Sequence, residues 1–225
     1  MINPAGIVFD AYGTLLDVTS TATICEARFP GFGSALSDLW RRRQLEYSWL
    51  RSLMGRHVDF SRVTADALDF ALAALELKPS EDDRTALLRS YLTLAPFPEV
   101  PAALAQLSAF RRLVLSNGSE AMLEPALTYA GVRDQLQAVL SVERVGVFKP
   151  APQVYALAVV HLGCAPHEAL FVSSNGWDIA GAAAFGLHTC WLNRSGAPLE
   201  QLGVQPEMVV ADLAELVGML VTDDA

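Results

Sequence analysis

The chain has 225 residues, 52% of them hydrophobic and 18% charged, which is enough for one large domain or a core carrying a smaller one and excludes a disordered chain. A net charge of −9 argues against a nucleic-acid partner, because phosphate binding needs a cationic surface, but it leaves an anionic substrate held by local donors open. The three cysteines, Cys25, Cys164 and Cys190, are widely spaced and odd in number, residues 1–6 lack a leader pattern and no apolar run could span a bilayer, so a cytoplasmic protein with free thiols and no membrane partner is expected.

Ile7, Val8 and Phe9 form a short buried-strand pattern, and Asp10 follows at once. Gly13 can turn the chain and Thr14 can hydrogen-bond locally. In open parallel sheets ligands sit beyond the carboxyl ends of strands, so Asp10 stands where chemistry is done; the plainer alternative is a turn cap. Residues 17 to about 95 then read as helices. Leu36, Leu39, Trp40, Tyr47, Leu50 and Met54 recur at helical spacing, with Gly55 as a stop. A second helix spans roughly Thr64 to Leu77, with Leu68, Ala71, Leu72 and Leu75 on one face and Pro79 closing it. A third begins at Ser80, whose spacing to Asp83 is a weak capping box, with Leu87, Leu88, Tyr91 and Leu92 as its stripe. Pro96, Pro98 and Pro101 make a stiff return.

From about residue 100 strands and helices alternate. Arg112–Leu115, Ala138–Ser141, Ala169–Val172, His188–Leu192 and Met208–Val210 are strand candidates, and Gly131, Gly163 and Gly186 close intervening helices. This predicts an α/β fold: a Rossmann-like parallel-sheet core of residues 1–16 and 98–225, with a helical cap of residues 17–97 inserted.

Each candidate strand hands over to polar residues: Asp10; then Ser116, Asn117 and Gly118; then Lys149 before Pro150; then Ser173, Ser174, Asn175 and Asp178. A carboxylate nucleophile needs a nearby cation to stay ionised, which a lysine supplies. Donors at Ser116 and Asn117 suit an anion, and a second carboxylate can activate water. Any one of these could be a cap; the ordered set is hard to explain that way. The four histidines, His57, His161, His167 and His188, lack metal-ligand spacing, and Cys190 reads as a small buried apolar residue.

The series Asp10-x-Tyr12-Gly13-Thr14-Leu15, Leu115-Ser116-Asn117-Gly118, Lys149-Pro150 and Val172-Ser173-Ser174-Asn175-x-x-Asp178 resembles the haloacid dehalogenase superfamily, and within it the L-2-haloacid dehalogenases. The likeness covers nearly the whole chain, including Leu39-Trp40-Arg41, Gln44-Leu45-Glu46-Tyr47, Trp49-Leu50-Arg51, Leu94-Ala95-Pro96-Phe97 and Cys190-Trp191-Leu192-Asn193-Arg194. It implies displacement of halide from a short L-2-haloalkanoate by Asp10, with inversion at C2, then hydrolysis of the aspartyl ester to a D-2-hydroxy acid. It implies no metal or organic cofactor. Lys149 and Thr14 would keep Asp10 anionic and oriented, with Tyr155 supporting the lysine. Asp178, Asn175 and Ser173 would prepare water, and Ser116 with the Asn117 amide would hold the substrate carboxylate beside Ala11.

The resemblance gives the departing halide to Arg41, with Asn117 nearby. Arg41, Arg42 and Arg43 could instead be a solvated face, but Arg41 shares a helix face with Leu45 and Trp49, while Arg42 points outward. Arg42-Arg43 stands where the family shows Gln-Lys, which adds charge near the pocket. Tyr12, Leu45, Phe60 and Trp177 would wall the alkyl group; for Phe60 and Trp49 ordinary core packing is the alternative. Two-subunit association through apolar cap helices is also implied.

Most superfamily members are magnesium-dependent phosphotransferases, with a second aspartate where this chain has Tyr12 and a metal-binding carboxylate where it has Ser174. Losing one anionic ligand weakens a magnesium site. A metal-dependent phosphatase and a catalytically silent binding protein remain the alternatives to dehalogenation.

Overall fold

A computed structural model describes residues 3–221. Six strands, β1 (Gly6–Phe9), β2 (Arg112–Ser116), β3 (Ala138–Ser141), β4 (Ala169–Ser173), β5 (His188–Leu192) and β6 (Met208–Val210), form one parallel sheet in the order β3-β2-β1-β4-β5-β6. Every residue of β1, β2 and β4 is buried, as expected where helices cover both faces of aliphatic strands. After β3 the chain crosses to the far side of β1, so the crevice between the carboxyl ends of β1 and β4 is a topological switch point. Phe9 lies opposite Val172, which brings Asp10 and Ser173 out of the sheet side by side.

Four helices lie between β1 and the Pro96 return: α1 (Thr21–Arg28), α2 (Gly33–Leu53), α3 (Phe60–Ala74) and α4 (Glu81–Ser90). α2 packs on α1 and α3, and α1 also touches α4. Trp40 and Tyr91 are almost wholly buried and meet edge to face with ring centroids 5.0 Å apart, a contact that adds about 0.5–1.5 kcal/mol beyond area burial. Five further helices follow: α5 (Val100–Gln106), α6 (Glu120–Tyr129), α7 (Pro152–Leu162), α8 (Gly176–Phe185) and α9 (Leu213–Leu220). No helix among the described residues is long and apolar enough to cross a membrane.

Several expectations need correcting. α3 starts at Phe60 rather than Thr64, because Asp59 caps it by accepting from the Ser61 N–H. Pro101 lies in the first turn of α5, where its missing N–H costs nothing, rather than in a connector. Leu50 and Met54 are 50% and 61% exposed, so the apolar stripe of α2 does not include them. The Ser80–Asp83 capping box, by contrast, is fully formed, with bonds in both directions.

Asp59 also lies close to Glu143, which follows β3, with Ser119 beside them. Burial and then Asp59 push Glu143 up to about 7; burial would raise Asp59, but Glu143 and Ser61 hold it below its ordinary range. The nearby Glu120 is paired with Arg144. A raised carboxyl contributes stability at low pH and loses it as pH rises through the raised value, so this contact weakens through about pH 7. With solvent screening, the Tm should fall by only about 1–3 °C from pH 6 to 8.5. Glu143→Gln, a permanent donor, should remove that slope in differential scanning calorimetry; an unchanged slope would place its origin elsewhere.

Candidate active site

Asp10 is 5% exposed and sits at the end of β1 among four donors. Its Oδ2 accepts from Asn175 Nδ2 (2.8 Å), the Thr14 hydroxyl (3.2 Å) and the Ser173 hydroxyl (3.4 Å), while Oδ1 accepts from Lys149 Nζ (3.1 Å). The roles of the hydroxyls are settled by what they accept. Thr14 Oγ1 takes the Ser174 N–H (2.9 Å) and Ser173 Oγ takes the Asn175 N–H (3.1 Å), leaving each hydroxyl proton for Asp10. Gly13 makes the turn that returns Thr14 to Asp10; its φ of +86° is one that a side chain rarely adopts.

Lys149 is buried, donates to Asp178 Oδ2 (2.8 Å) as well as Asp10, and lies 4.9 Å from the centroid of the Phe171 ring. Burial lowers its pKa, but Asp10 and Asp178 outweigh that and hold it above the ordinary lysine value. Asp178 is fully buried in the first turn of α8; burial pushes its carboxyl up to about 6 against the pull of Lys149, and Asp10 adds to the rise. The Tyr155 hydroxyl donates to Asp178 Oδ1 (2.7 Å) and to its carbonyl, so Tyr155 braces the second carboxylate rather than the lysine. That approach requires Gly181, where a Cβ would lie 2.5 Å from the Tyr155 oxygen.

A small cavity, of about 10 Å³, opens on Asp10, lined by Tyr12, Arg41, Leu45, Phe60, Ser116, Asn117, Lys149, Asn175 and Trp177. The structure therefore brings the sequence-predicted residues to one place. Ser116 Oγ accepts from the Gly118 N–H (3.1 Å), and Asn117 Oδ1 accepts from the Lys149 backbone N–H (2.9 Å), tying two strand-end loops together. Ala11 is buried behind the site and does not line the cavity. Tyr12 stacks on Phe60 (6.2 Å) and meets Tyr91 edge-on (5.8 Å), and its buried hydroxyl has no partner among the described residues. Burial, and next Tyr91, raise that phenol well above its ordinary range. Trp49 stands outside the cavity and packs edge-on against Trp177 at 5.3 Å. Arg41 Nη1 donates to Gln44 Oε1 (2.7 Å), a residue that pattern reading passes over although it falls four residues after Trp40 on the buried stripe. Arg42 is exposed, and Arg43 pairs with Glu46 away from the cavity.

An ordered carboxylate at the switch point of a parallel sheet, bridged by a buried lysine to a second carboxylate under a helical cover, defines a hydrolase site built for an aspartyl nucleophile. The haloacid dehalogenase-like hydrolase family model matches residues 4–186. The (S)-2-haloacid dehalogenase 2 of Pseudomonas sp. (strain CBS-3) is 46% identical over 217 residues, 96% of this chain and 95% of that protein. A solved L-2-haloacid dehalogenase from Xanthobacter autotrophicus superposes with a TM-score of 0.91 at 40% identity over 98% of both chains. A structure of the Xanthobacter autotrophicus enzyme with chloropropionic acid covalently bound superposes with a TM-score of 0.90 at 40% identity over 100% of both chains. The chain belongs to the haloacid dehalogenase-like hydrolases, in the branch of the (S)-2-haloacid dehalogenases.

Proposed function

We propose that the protein hydrolyses short L-2-haloalkanoates to D-2-hydroxy acids through an ester on Asp10. The observation that carries this reading is the Asp10 carboxyl group itself, paired with Lys149 at 3.1 Å and facing a small cavity with Arg41 in its wall. Oδ2 is occupied by three donors and Oδ1 by one, so Oδ1 keeps a lone pair for attack. Oδ1 bonds to C2 as the carbon–halogen bond breaks, and the halide leaves opposite with the bonding pair, inverting the carbon. Ser116 and the Asn117 amide hold the substrate carboxylate, and Arg41 receives the halide. Asp178 takes one proton from water as its oxygen attacks the ester carbonyl carbon; the bond from that carbon to the substrate oxygen breaks, the product alkoxide leaves and takes up the second water proton, and Asp178 releases its proton to solvent, which restores Asp10 as a carboxylate. C2 is untouched in the second step.

A magnesium-dependent phosphatase would want a carboxylic acid at position 12 and a carboxylate at 174. Tyr12 offers a high-pKa phenol, and the Ser174 hydroxyl is engaged with the Gly13 carbonyl at 2.6 Å. The direct test is halide release from each enantiomer of 2-chloropropionate in EDTA, with p-nitrophenyl phosphate and magnesium alongside. Release from the L form alone is expected; phosphate release without halide would overturn the reading.

Asp178→Asn should let the first step proceed and stall the second. The expected result is a burst of one halide per chain, a persistent mass adduct on the protein, and steady turnover lower by about 10³-fold or more. In the parent, hydrolysis of the ester should gain rate as pH rises through the Asp178 titration, which lies below the free protein's value of about 6 because esterified Asp10 no longer adds its charge. Sustained turnover of Asp178→Asn without adduct would remove Asp178 from that role.

Residues 17–97 are proposed to form a cap on the core. The outgoing and returning chains cross side by side at Leu16 and Pro96, with Asp17 N–H donating to the Ala95 carbonyl (2.8 Å) and Phe97 N–H to the Leu15 carbonyl (3.1 Å), a narrow neck suited to such a division. A homodimer is supported by Leu50, Leu53 and Met54 at the end of α2, which are 50%, 85% and 61% exposed. A cytoplasmic setting is supported by the free thiols of Cys25, Cys164 and Cys190, two of them buried.

A further inference from the structure

Gln44 is fully buried on the inward stripe of α2 that also carries Leu36 and Trp40. A carboxamide without a function is a poor occupant of such a position, since each polar group left unpaired there loses its hydration with nothing in return. This one is satisfied on both sides. Its Oε1 accepts from Arg41 Nη1 (2.7 Å) and, more weakly, from the Tyr91 hydroxyl (3.4 Å), and its Nε2 donates to Thr64 Oγ1 (2.7 Å). The Thr64 proton is committed to the Phe60 carbonyl (2.7 Å), so Thr64 can only accept from the amide, and the amide oxygen must face Arg41. The Thr64 carbonyl is in turn held by the Trp40 indole N–H (2.8 Å). A continuous chain of bonds thus ties the Arg41 guanidinium to the first turn of α3, where Phe60 forms part of the cavity wall.

The charge of the partner matters as much as its place. Arg43 and Arg51, on the same helix, are paired with the carboxylates of Glu46 and Asp66. Arg41 is held by a neutral oxygen. An arginine side chain has many rotamers, and a fixed acceptor removes that freedom before substrate arrives. A carboxylate acceptor would do the same but would cancel the positive charge that a departing anion needs in a water-poor cavity.

We propose that Gln44 is a positioning residue for carbon–halogen cleavage: its oxygen aims Arg41 at the leaving halide, and its neutrality leaves the guanidinium charge free for that anion. This rests on the reading of Arg41 as the halide acceptor, so the test includes Arg41 itself. Single-turnover halide release isolates the displacement step and would be measured with L-2-chloropropionate and L-2-bromopropionate. The proteins are the full-length parent, Gln44→Met, Gln44→Glu, Arg41→Leu and the double variant Arg41→Leu/Gln44→Met.

Gln44→Met is expected to slow chloride release about 10- to 100-fold with KM changed by less than about 3-fold. Its bromide-to-chloride rate ratio should rise, because the poorer leaving group depends more on the guanidinium. Added to Arg41→Leu it should cost little more, as expected of two residues acting as a unit. Gln44→Glu keeps acceptors for Arg41 and Tyr91 and should still lose chloride release by a similar factor. A Gln44→Met loss with an unchanged leaving-group ratio, or one additive with Arg41→Leu, would reduce Gln44 to a packing residue and overturn the proposal. Parent-like rates in Gln44→Glu would remove the claim about neutrality. If Arg41→Leu itself leaves the ratio unchanged, the assignment of Arg41 fails, and Gln44 with it, a result distinct from the others.

Discussion

Asp10→Asn should fold and yet release halide about 10⁵-fold more slowly than the parent, the scale on which removal of a covalent nucleophile is felt. The argument begins with the donors around the carboxylate. Oδ2 faces Thr14, Ser173 and Asn175, all with protons directed at it, and Oδ1 faces the Lys149 ammonium. An asparagine must turn its oxygen toward one set and its NH₂ toward the other. With the oxygen toward the three donors, the NH₂ confronts the ammonium and no lone pair is left pointing into the cavity. The lost charge removes the nucleophile, and the donor–donor contact costs about 1–3 kcal/mol of stability, too little to unfold a domain of this size. Intact-protein mass spectrometry after exposure to 2-chloropropionate would accompany the halide assay. The expected result is no adduct on Asp10→Asn, in a background such as Asp178→Asn where the parent carboxylate would accumulate one. Parent-like halide release from Asp10→Asn would mean that another group attacks the carbon.

The parallel sheet was readable because each strand is a short aliphatic run stopped by small polar residues, and the order of those residues is also the order in which they reach the cavity. Asp10 announces itself as a charge placed directly after an apolar run, and Lys149 and Asp178 as charges a short loop beyond theirs. What stayed hidden depends on approach between elements. Tyr155 sits in α7, and nothing in its neighbours says that its hydroxyl reaches Asp178 rather than Lys149; that is decided by the close passage of α8 at Gly181. Gln44 follows three arginines and reads as part of a solvated face, although its four-residue step from Trp40 places it inside. Thr21–Arg28 forms α1 with only Thr21 and Cys25 buried, too little apolar periodicity to mark a helix. The early start of α3 turned on one cap, Asp59, in a stretch with no apolar signal before Phe60.

Lys149→Met should disable both chemical steps together and make the fold sensitive to pH. In the parent, Lys149 lies 3.1 Å from Asp10 and 2.8 Å from Asp178, and the two carboxylates hold it charged against a burial that alone would neutralise it. Removing the ammonium leaves two buried carboxylates facing one another, and such a pair keeps one proton at neutral pH. Whichever carboxyl holds that proton, the site lacks either its nucleophile or its base, so halide release and ester hydrolysis should both fall, by about 10⁴-fold overall. The stability effect follows from the direction of the shift. Asp178, already raised by burial, would rise further in the folded variant once Lys149 no longer pulls it down, so the fold is favoured at low pH and loses stability as pH rises through the raised value. Breaking a buried pair costs about 3–5 kcal/mol, so the Tm deficit relative to the parent should widen by about 10 °C between pH 5.5 and 8. Lys149→Arg separates charge from shape. It restores a cation, which should flatten the pH dependence of Tm, but the lysine is 1% exposed and the wider guanidinium has no room to take both short contacts, so turnover should stay low. A Tm deficit in Lys149→Met that is the same at both pH values would show that the lysine fills space rather than neutralises the two carboxylates, and the ionised Asp10 would then need another source.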